Sequence, residues 1–182
     1  MCGKAIIREK FKKERGGFIG SVREKADKKI FDLFFDKFSG YGSFFIYNSF
    51  SDEADTSAII AKLLSIGKNV YLPRIENGKM VPVPYGETVK GAFGVYEPVG
   101  QAFCGGIDVT VVPLLAINGR GFRVGYGKGF YDGYLKNSET VKAGIGYAFQ
   151  FAEFKEDGWD VPLDIFLCEK GIYGFGKFDV ER

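Results

Sequence analysis

The run IDVTVVPLL at 107–115 limits the fold of this chain more than any other segment. It is the most continuously β-branched stretch, and such a run is typical of a strand buried on both faces near the centre of a sheet. The glycine-rich segment GFRVGYGKGFYDGYL follows it at 121–135 and leads into a short predicted helix from about 130 to 136. Ligands bind beyond the carboxyl ends of parallel strands, so this order puts the glycine-rich segment at a ligand-binding position.

Helix and strand patterns alternate along the rest of the chain. The 3.6-residue period of apolar positions predicts helices over 4–15, 22–38 and 52–68. Apolar and β-branched runs predict strands over 43–50, 69–73, 79–85, 141–149 and 164–169. We therefore expect one three-layer α/β domain over residues 1–182, with a central, mostly parallel sheet and helices on both faces. The proline-containing strand at 79–85 is expected at an edge.

Composition and charge exclude several classes of function. A net charge of +2 is too small to favour a nucleic-acid partner. The chain has no histidine, which rules out Ser-His and Cys-His catalysis and histidine metal ligands. Cys2, Cys104 and Cys168 are too far apart for a zinc motif or a disulfide framework. With no apolar signal core and no run of membrane-spanning length, we expect a cytoplasmic monomer without membrane or nucleic-acid partners.

The glycine-rich segment fits neither of the two best-known nucleotide-binding patterns. A Walker loop ending at Gly127-Lys128 would need a hydroxyl residue where Gly129 stands. The dinucleotide fingerprint beginning at Gly125 fails because its third glycine position holds Phe130. Both assignments are therefore rejected.

The physical requirements for anion binding are nevertheless met by this segment. Alternate glycines let the backbone N–H groups approach a phosphate, and the following helix adds the positive end of its dipole. Arg123 and Lys128 supply cationic donors, and Asp132 beside a phosphate is typical of a Mg²⁺ site. The alternative is a glycine-rich surface turn in which Asp132 is an ordinary residue at a helix start. The residues alone leave both interpretations open.

The segment VVPLLAINGRGFRVGYGKGFYD at 111–132 resembles the signature of the 5-formyltetrahydrofolate cyclo-ligase family, also called methenyltetrahydrofolate synthetases. That signature is approximately a strand ending in Val-Pro, then G-x-R-x-G-x-G-x-G-[YF]-Y-D. Nearly the whole chain takes part in the resemblance. Further matching segments are the Lys4/Arg8 pair, SFSDEADTSAII (49–60), VYLPRI (70–75), GAFGVYEP (91–98) and DGWDVPLDIFL (157–167). The chain departs from the family pattern at Ile117-Asn118, Gly133, Asp157 and Trp159.

The resemblance implies an ATP- and Mg²⁺-dependent enzyme of one-carbon metabolism. Its reaction converts 5-formyltetrahydrofolate to 5,10-methenyltetrahydrofolate and yields ADP and phosphate. The formyl oxygen attacks the γ-phosphate, and the N10 atom of the folate then displaces phosphate. Such phosphoryl transfer depends on positioning and charge neutralisation, so a chain without histidine can perform it.

The resemblance also implies roles for particular residues. ATP would contact Lys4, Arg8, Arg123, Gly125, Gly127, Lys128, Gly129, Phe130 and Tyr131, with Arg123 and Lys128 as the catalytic cations. The folate would contact Glu53, Tyr126, Lys128 and Phe130. Mg²⁺ would be held by Asp132 and Asp160.

Each of these roles has a structural alternative. Lys4 and Arg8 also fit a solvated helix face, and Glu53 fits a carboxylate at a helix N-terminus. For Tyr126 and Phe130, the alternative to stacking on the folate is packing in the core. Asp160 fits ordinary turn chemistry before a proline.

Two other functions compete with the cyclo-ligase. One is a different α/β enzyme with a phosphate ligand, such as a sugar-phosphate isomerase or CoA transferase relative. The other is a non-catalytic nucleotide- or RNA-binding module.

Overall fold

The computed structural model describes residues 3–91 and 96–178. Its helices are α1 (Lys4–Gly17), α2 (Gly20–Phe38), α3 (Ser57–Ser65) and α4 (Phe130–Leu135). Its first strands are β1 (Ser43–Ile46), β2 (Asn69–Glu76), β3 (Lys79–Pro84), β4 (Thr88–Lys90), β5 (Tyr96–Pro98) and β6 (Val109–Pro113). The remaining strands are β7 (Ala116–Ile117), β8 (Arg123–Val124), β9 (Val141–Ile145), β10 (Ile165–Cys168) and β11 (Gly171–Gly174). Cys2 and residues 92–95 of the family-like 91–98 segment lie outside the described residues.

A seven-stranded sheet organises the molecule, with the order β11-β10-β9-β6-β1-β2-β3. The five inner strands are parallel to one another, and each of the two edge strands pairs antiparallel with its neighbour. The predicted mostly parallel α/β sheet is therefore confirmed. The prediction of a central position for β6 is confirmed too, and its residues 109–112 are completely buried. The proline-containing β3 lies at an edge, as expected.

Alternate residues of the strands point to opposite faces, and helices cover both. Phe44 and Ile46 of β1 share a buried cluster with α2 and α3. Phe45, between them, points the other way and contacts Tyr134 of α4, with ring centroids 4.8 Å apart. The prediction of helices on both faces is thereby confirmed.

The segment before α3 differs from the sequence-based prediction. The helix begins at Ser57 rather than at residue 52, and β1 ends at Ile46 rather than at residue 50. The physical reason lies in the polar side chains of the connection. Thr56 accepts a hydrogen bond from the Ser49 amide and donates to the Tyr47 carbonyl, so these backbone groups bond to a side chain instead of continuing the strand.

Short antiparallel elements were not predicted. They are the edge strand β11 and the two-stranded ribbons β4–β5 and β7–β8. The turn between β7 and β8 is held by Asn118, whose side-chain oxygen accepts hydrogen bonds from the amides of Arg120 and Phe122. Strand β8 of this ribbon lies within the glycine-rich segment, directly before Gly125.

Within residues 3–91 and 96–178, no helix has the length and apolar character needed to span a bilayer.

Candidate active site

A cavity of about 530 Å³ opens at the carboxyl ends of β1 and β6 and beside the middle of β2. The glycine-rich segment forms one wall, and α1, the connection after β1 and the loop before β10 form the others. All of the site residues predicted from sequence line this cavity. They are Lys4, Arg8, Glu53, Arg123, Gly125, Tyr126, Gly127, Lys128, Gly129, Phe130, Tyr131, Asp132 and Asp160.

The glycine-rich segment needs glycine for two reasons. Gly127 and Gly129 have φ angles of 94° and 70°, in the left-handed region that side chains rarely adopt. A Cβ at residue 127 would also lie 3.3 Å from Arg8 Cζ. The segment therefore turns sharply in front of α4 and lets a cation approach its backbone closely.

Two cations one turn apart on α1 point into the cavity. Arg8 Nε donates to the Gly125 carbonyl at 2.8 Å. Lys4 Nζ contacts Asp157 Oδ2 at 2.7 Å and Asp160 Oδ2 at 2.5 Å. Burial by itself lowers the pKa of Lys4, but the hydrogen bonds to Asp157 and Asp160 outweigh it and leave the pKa above its ordinary value. This end of the cavity thus holds charges of both signs.

Arg123 is fixed by a reciprocal set of bonds. Its Nη2 lies 3.0 Å from Asp132 Oδ1, and its Nη1 donates to the Val161 carbonyl at 3.0 Å. The Val161 amide donates to the same Asp132 oxygen at 3.0 Å. Burial lowers the pKa of Arg123 and the Asp132 charge opposes that effect. The bonds hold α4 and the loop before β10 in a fixed relation at the cavity.

Glu53 forms the acidic side of the cavity. Its side chain is buried; Oε1 accepts a 2.8 Å hydrogen bond from the Tyr126 hydroxyl, and Oε2 accepts one of 2.9 Å from the Phe50 amide. Burial raises its pKa, and these two hydrogen bonds offset only part of the effect. A carboxylate oxygen accepts two hydrogen bonds, so each oxygen retains one acceptor position.

Helix α2 holds the 51–55 segment that carries Glu53. Arg23 donates to two of its backbone carbonyls, at 3.0 and 2.8 Å, and to the Tyr147 hydroxyl at 3.1 Å. Asp27 accepts from Tyr147 at 2.8 Å and from the amide of residue 55 at 3.2 Å. Sequence reasoning missed these residues because they belong to an otherwise ordinary amphipathic helix.

Sequence reasoning also missed Arg15, which is buried beside Glu53 and Tyr126. A signal for it was present, because it lies seven residues after Arg8 on the same helix and therefore on the same face.

Aromatic side chains line the open part of the cavity. Tyr126 is 45% exposed and Trp159 is 72% exposed, so neither packs in the core. Phe130 lines the cavity while it packs partly against the buried cluster around Phe45 and Tyr71. Flat apolar faces thus border a polar interior, as in sites for planar ligands.

In the part of the chain that the structure describes, no group of three or more His, Cys, Asp or Glu residues is arranged to hold a metal. Carboxylate oxygens are nevertheless present in the cavity wall, from Asp132 and Asp160. Mg²⁺ is commonly held by one or two carboxylates together with substrate phosphates, so this donor set fits it.

The chain is similar to known proteins over most of its length. A model of the 5-formyltetrahydrofolate cyclo-ligase family matches residues 1–169. The chain belongs to this family. The solution structure of the 5,10-methenyltetrahydrofolate synthetase from Aquifex aeolicus is similar over 98% of this chain and 94% of its own, with a TM-score of 0.86 and 27% identity.

Curated family members align over different lengths. The 5-formyltetrahydrofolate cyclo-ligase of Escherichia coli K12 is 34% identical over 142 residues, which cover 70% of this chain and 78% of the relative. The cyclo-ligase of Mycoplasma genitalium is 48% identical over 64 residues. That alignment spans 34% of this chain and only 39% of the relative.

Proposed function

We propose that this family member is an ATP- and Mg²⁺-dependent enzyme that converts 5-formyltetrahydrofolate to 5,10-methenyltetrahydrofolate. The observation that carries the proposal is that a single cavity joins a glycine-rich, cation-bearing wall to a buried carboxylate. The first suits a nucleotide phosphate, and the second suits the hydrogen-bond donors of a pterin.

The ATP phosphates would lie along the glycine-rich segment. The backbone there approaches a ligand without side-chain obstruction, and Arg8, Lys4 and Lys128 add positive charge from two walls of the cavity. Arg123, which is buried in the cavity wall, would add a further positive charge. Concentrating cations around the γ-phosphoryl group lowers the cost of placing a nucleophile beside it.

The folate would bind with its pterin amino edge toward Glu53. The two free acceptor positions of this carboxylate match paired N–H donors in one plane. The ring would lie against the neighbouring aromatic side chains Tyr126 and Phe130. Because Glu53 is fixed by α2 through the 51–55 segment, the pterin would be oriented rather than merely attracted.

Asp132 and Asp160 would hold Mg²⁺ together with phosphate oxygens. When bound, the ion would neutralise charge on the transferring phosphoryl group. Asp132 would serve two purposes, since one of its oxygens is bonded to Arg123 and Val161. Asp160 would exchange its contact with the Lys4 ammonium for the ion.

The chemistry follows from alignment of the substrates and neutralisation of charge. The formyl oxygen forms a bond to the γ-phosphorus of ATP and ADP leaves. The N10 nitrogen of the same folate then attacks the activated formyl carbon, the C–O bond breaks, and the leaving phosphate takes away the oxygen and the proton that N10 gives up. Both nucleophiles belong to the substrate, so the protein supplies positions and charges rather than a covalent nucleophile.

The decisive experiment mixes the purified protein with Mg-ATP and 5-formyltetrahydrofolate and follows the absorbance of the methenyl product. We expect product in proportion to enzyme and stoichiometric ADP. Absence of product at micromolar enzyme would overturn the proposal, and turnover of folate without ATP would favour a different phosphate-ligand enzyme of the same fold.

The metal assignment is tested by Asp132→Asn. The amide oxygen can still accept from the Val161 amide and from Arg123, so we expect a folded protein, with lower stability because the buried guanidinium loses its ion pair. Loss of the carboxylate should raise the Mg²⁺ concentration needed for half-maximal turnover by at least roughly tenfold. Asp36→Asn, on the exposed face of α2, is the matched control and should behave like the wild type. A normal Mg²⁺ titration for Asp132→Asn would mean that Asp132 is not a ligand.

A further inference from the structure

Arg15 is a buried cation that has no role in the reaction proposed above. It lies near the end of α1 and is only 3% exposed. Burying a guanidinium is costly unless it is paired and hydrogen-bonded, so its partners indicate what it does.

The guanidinium of Arg15 contacts three separate parts of the chain. Nη2 lies 2.9 Å from Asp52 Oδ1 and 2.6 Å from the Tyr126 hydroxyl. Nη1 donates to the Leu114 carbonyl at 3.2 Å. Among the described residues, Nε has no hydrogen-bond partner. The contacts with Asp52 and Tyr126 join two walls of the cavity, the connection after β1 and the glycine-rich segment. Glu53 lies in the first and is bonded to the second through Tyr126.

The direction of the hydrogen bonds is fixed by chemistry. A guanidinium only donates, so the Tyr126 oxygen must accept from Arg15. The single hydroxyl proton of Tyr126 is then left for another acceptor, and Glu53 Oε1 lies 2.8 Å away. The chain of bonds therefore runs in one direction, from Arg15 through Tyr126 to Glu53.

We propose that Arg15 is a positioning residue for the folate, which acts through Tyr126 by directing its hydroxyl proton to Glu53. This inference depends on the proposed function, because Glu53 is taken as the pterin acceptor. Arg15 would touch neither ATP nor folate. It would keep Glu53 ionised, with its two remaining acceptor positions facing the cavity.

The charge state of Glu53 depends on several neighbours. The titratable and charged groups that face it are Arg15, Asp52, Tyr47, Tyr126 and Tyr131, and Arg23 donates to its backbone carbonyl. After burial, the Phe50 amide, Tyr126 and Arg15 all lower the pKa of Glu53, whereas Asp52 raises it. Removing Arg15 or the Tyr126 hydroxyl should therefore raise the pKa of Glu53 further. As the pH is lowered, folate binding should then weaken at a higher pH than in the wild type.

A double-mutant cycle separates this role from a structural one. Arg15→Met removes the donors and the charge, and Tyr126→Phe removes only the hydroxyl. Each change should raise the folate KM by about tenfold, as expected for a lost hydrogen bond to a charged group, with the ATP KM within about twofold of wild type. In the Tyr126→Phe background, Arg15→Met should add at most about threefold. Arg15→Lys should recover part of the loss.

The pKa of Glu53 gives a readout that needs no activity. The side-chain carboxyl of Glu53 can be followed by ¹³C NMR during a pH titration, with its signal assigned by its absence in Glu53→Gln. We expect a higher pKa in Tyr126→Phe than in the wild type, and in Arg15→Met if that variant folds. Lys13→Met on the exposed side of α1 and Tyr85→Phe at the end of β3 are the matched controls and should change neither KM nor pKa.

The outcomes distinguish the two proposals. If the wild type forms no methenyl product, the proposed function fails, while the NMR titration still tests the coupling from Arg15 to Glu53. If the wild type turns over but the cycle is additive, or Tyr126→Phe leaves the pKa of Glu53 unchanged, the inference about Arg15 is wrong. An equal rise in the KM of ATP and folate would also overturn it, because that result indicates a general structural defect.

Discussion

At the scale of single residues, Glu53 illustrates how a site residue differs from an ordinary surface acid. Its carboxyl group is buried, and two hydrogen bonds and the nearby Arg15 compensate for part of the lost hydration. The result is a pKa above the ordinary value of 4.5. Proteins commonly keep such unfavourable groups where binding needs them, at a cost in stability.

That cost predicts a pH-dependent gain in stability for Glu53→Gln. Because the folded-state pKa is raised, the folded protein binds the proton more readily than the unfolded chain. The carboxylate therefore has no effect well below pH 4.5 and destabilises the fold above its folded-state pKa. A Gln amide can accept from only one of Tyr126 and the Phe50 amide, so the variant also loses a hydrogen bond at every pH. Its Tm relative to the wild type should therefore rise by a few degrees between pH 4.5 and 7, since about 1 kcal/mol moves Tm by roughly 2–4 °C at this size.

Thermal melts from pH 4 to 8 check this prediction. The Tm of the Gln variant relative to the wild type should fall as the pH falls toward 4.5. A Tm difference that stays constant between pH 4 and 8 would contradict the prediction. Glu24→Gln, on the exposed face of α2, should show no such pH-dependent difference.

At the scale of elements, α1 connects the two ends of the cavity. Lys4 and Arg8 point toward the loop before β10 and the glycine-rich segment, and Arg15 points toward Asp52 and Tyr126 beside Glu53. The helix is anchored by Ile7 and Phe11, which are buried against the β7–β8 ribbon. Spacings of three, four and seven residues place all of these side chains on one face.

Loosening this anchor should disturb both substrates at once. Phe11 is 2% exposed, and Phe11→Ala should destabilise the protein by about 3–5 kcal/mol. We expect the KM of ATP and the KM of folate to rise together, unlike in the Tyr126→Phe variant. Urea denaturation gives the stability, and Ile6→Ala, at a 57% exposed position of the same helix, is the control with little effect. A rise in only one KM would show that α1 does not move as a unit.

At the scale of the whole molecule, the parallel sheet decides where the site forms. Its inner strands end at one edge, and the connections that follow β1 and β6 bring Glu53 and the glycine-rich segment to the same cavity. The sheet tolerates little change in volume at its centre. A Cβ on Gly144 of β9 would lie 2.5 Å from Leu163 Cδ1 and 2.8 Å from Leu114 Cδ2.

Gly144→Ala should therefore destabilise the whole fold rather than one loop. Overpacking a filled interior typically costs about 1–3 kcal/mol, which should appear as a lower urea midpoint with an unchanged m-value. Gly133→Ala in α4 is the control, because a Cβ there meets nothing within 4 Å. Alanine also favours helix, so this variant should be neutral or slightly more stable. Equal stability of both variants would mean that the sheet relaxes around residue 144.

Much of this protein follows from local sequence alone. The period of apolar residues predicted the helices α1 and α2, and the β-branched run predicted the central strand β6. The glycine pattern, with Arg123, Lys128 and Asp132, identified the segment that forms the cavity wall. These features depend on residues close together in the chain, because backbone conformation and side-chain periodicity are set locally.

Only the tertiary structure decided the partners of the charged groups. Lys4 meets Asp157 and Asp160 across more than 150 positions, and Arg15 meets Tyr126 across 111. Such contacts form when strand order and helix packing bring distant segments together, and the pattern around either residue contains no sign of the other. The sequence by itself therefore determined the fold class and the cavity wall. Folding decided which charges are buried, which are paired and which face the ligand, because burial and pairing depend on the packed surroundings.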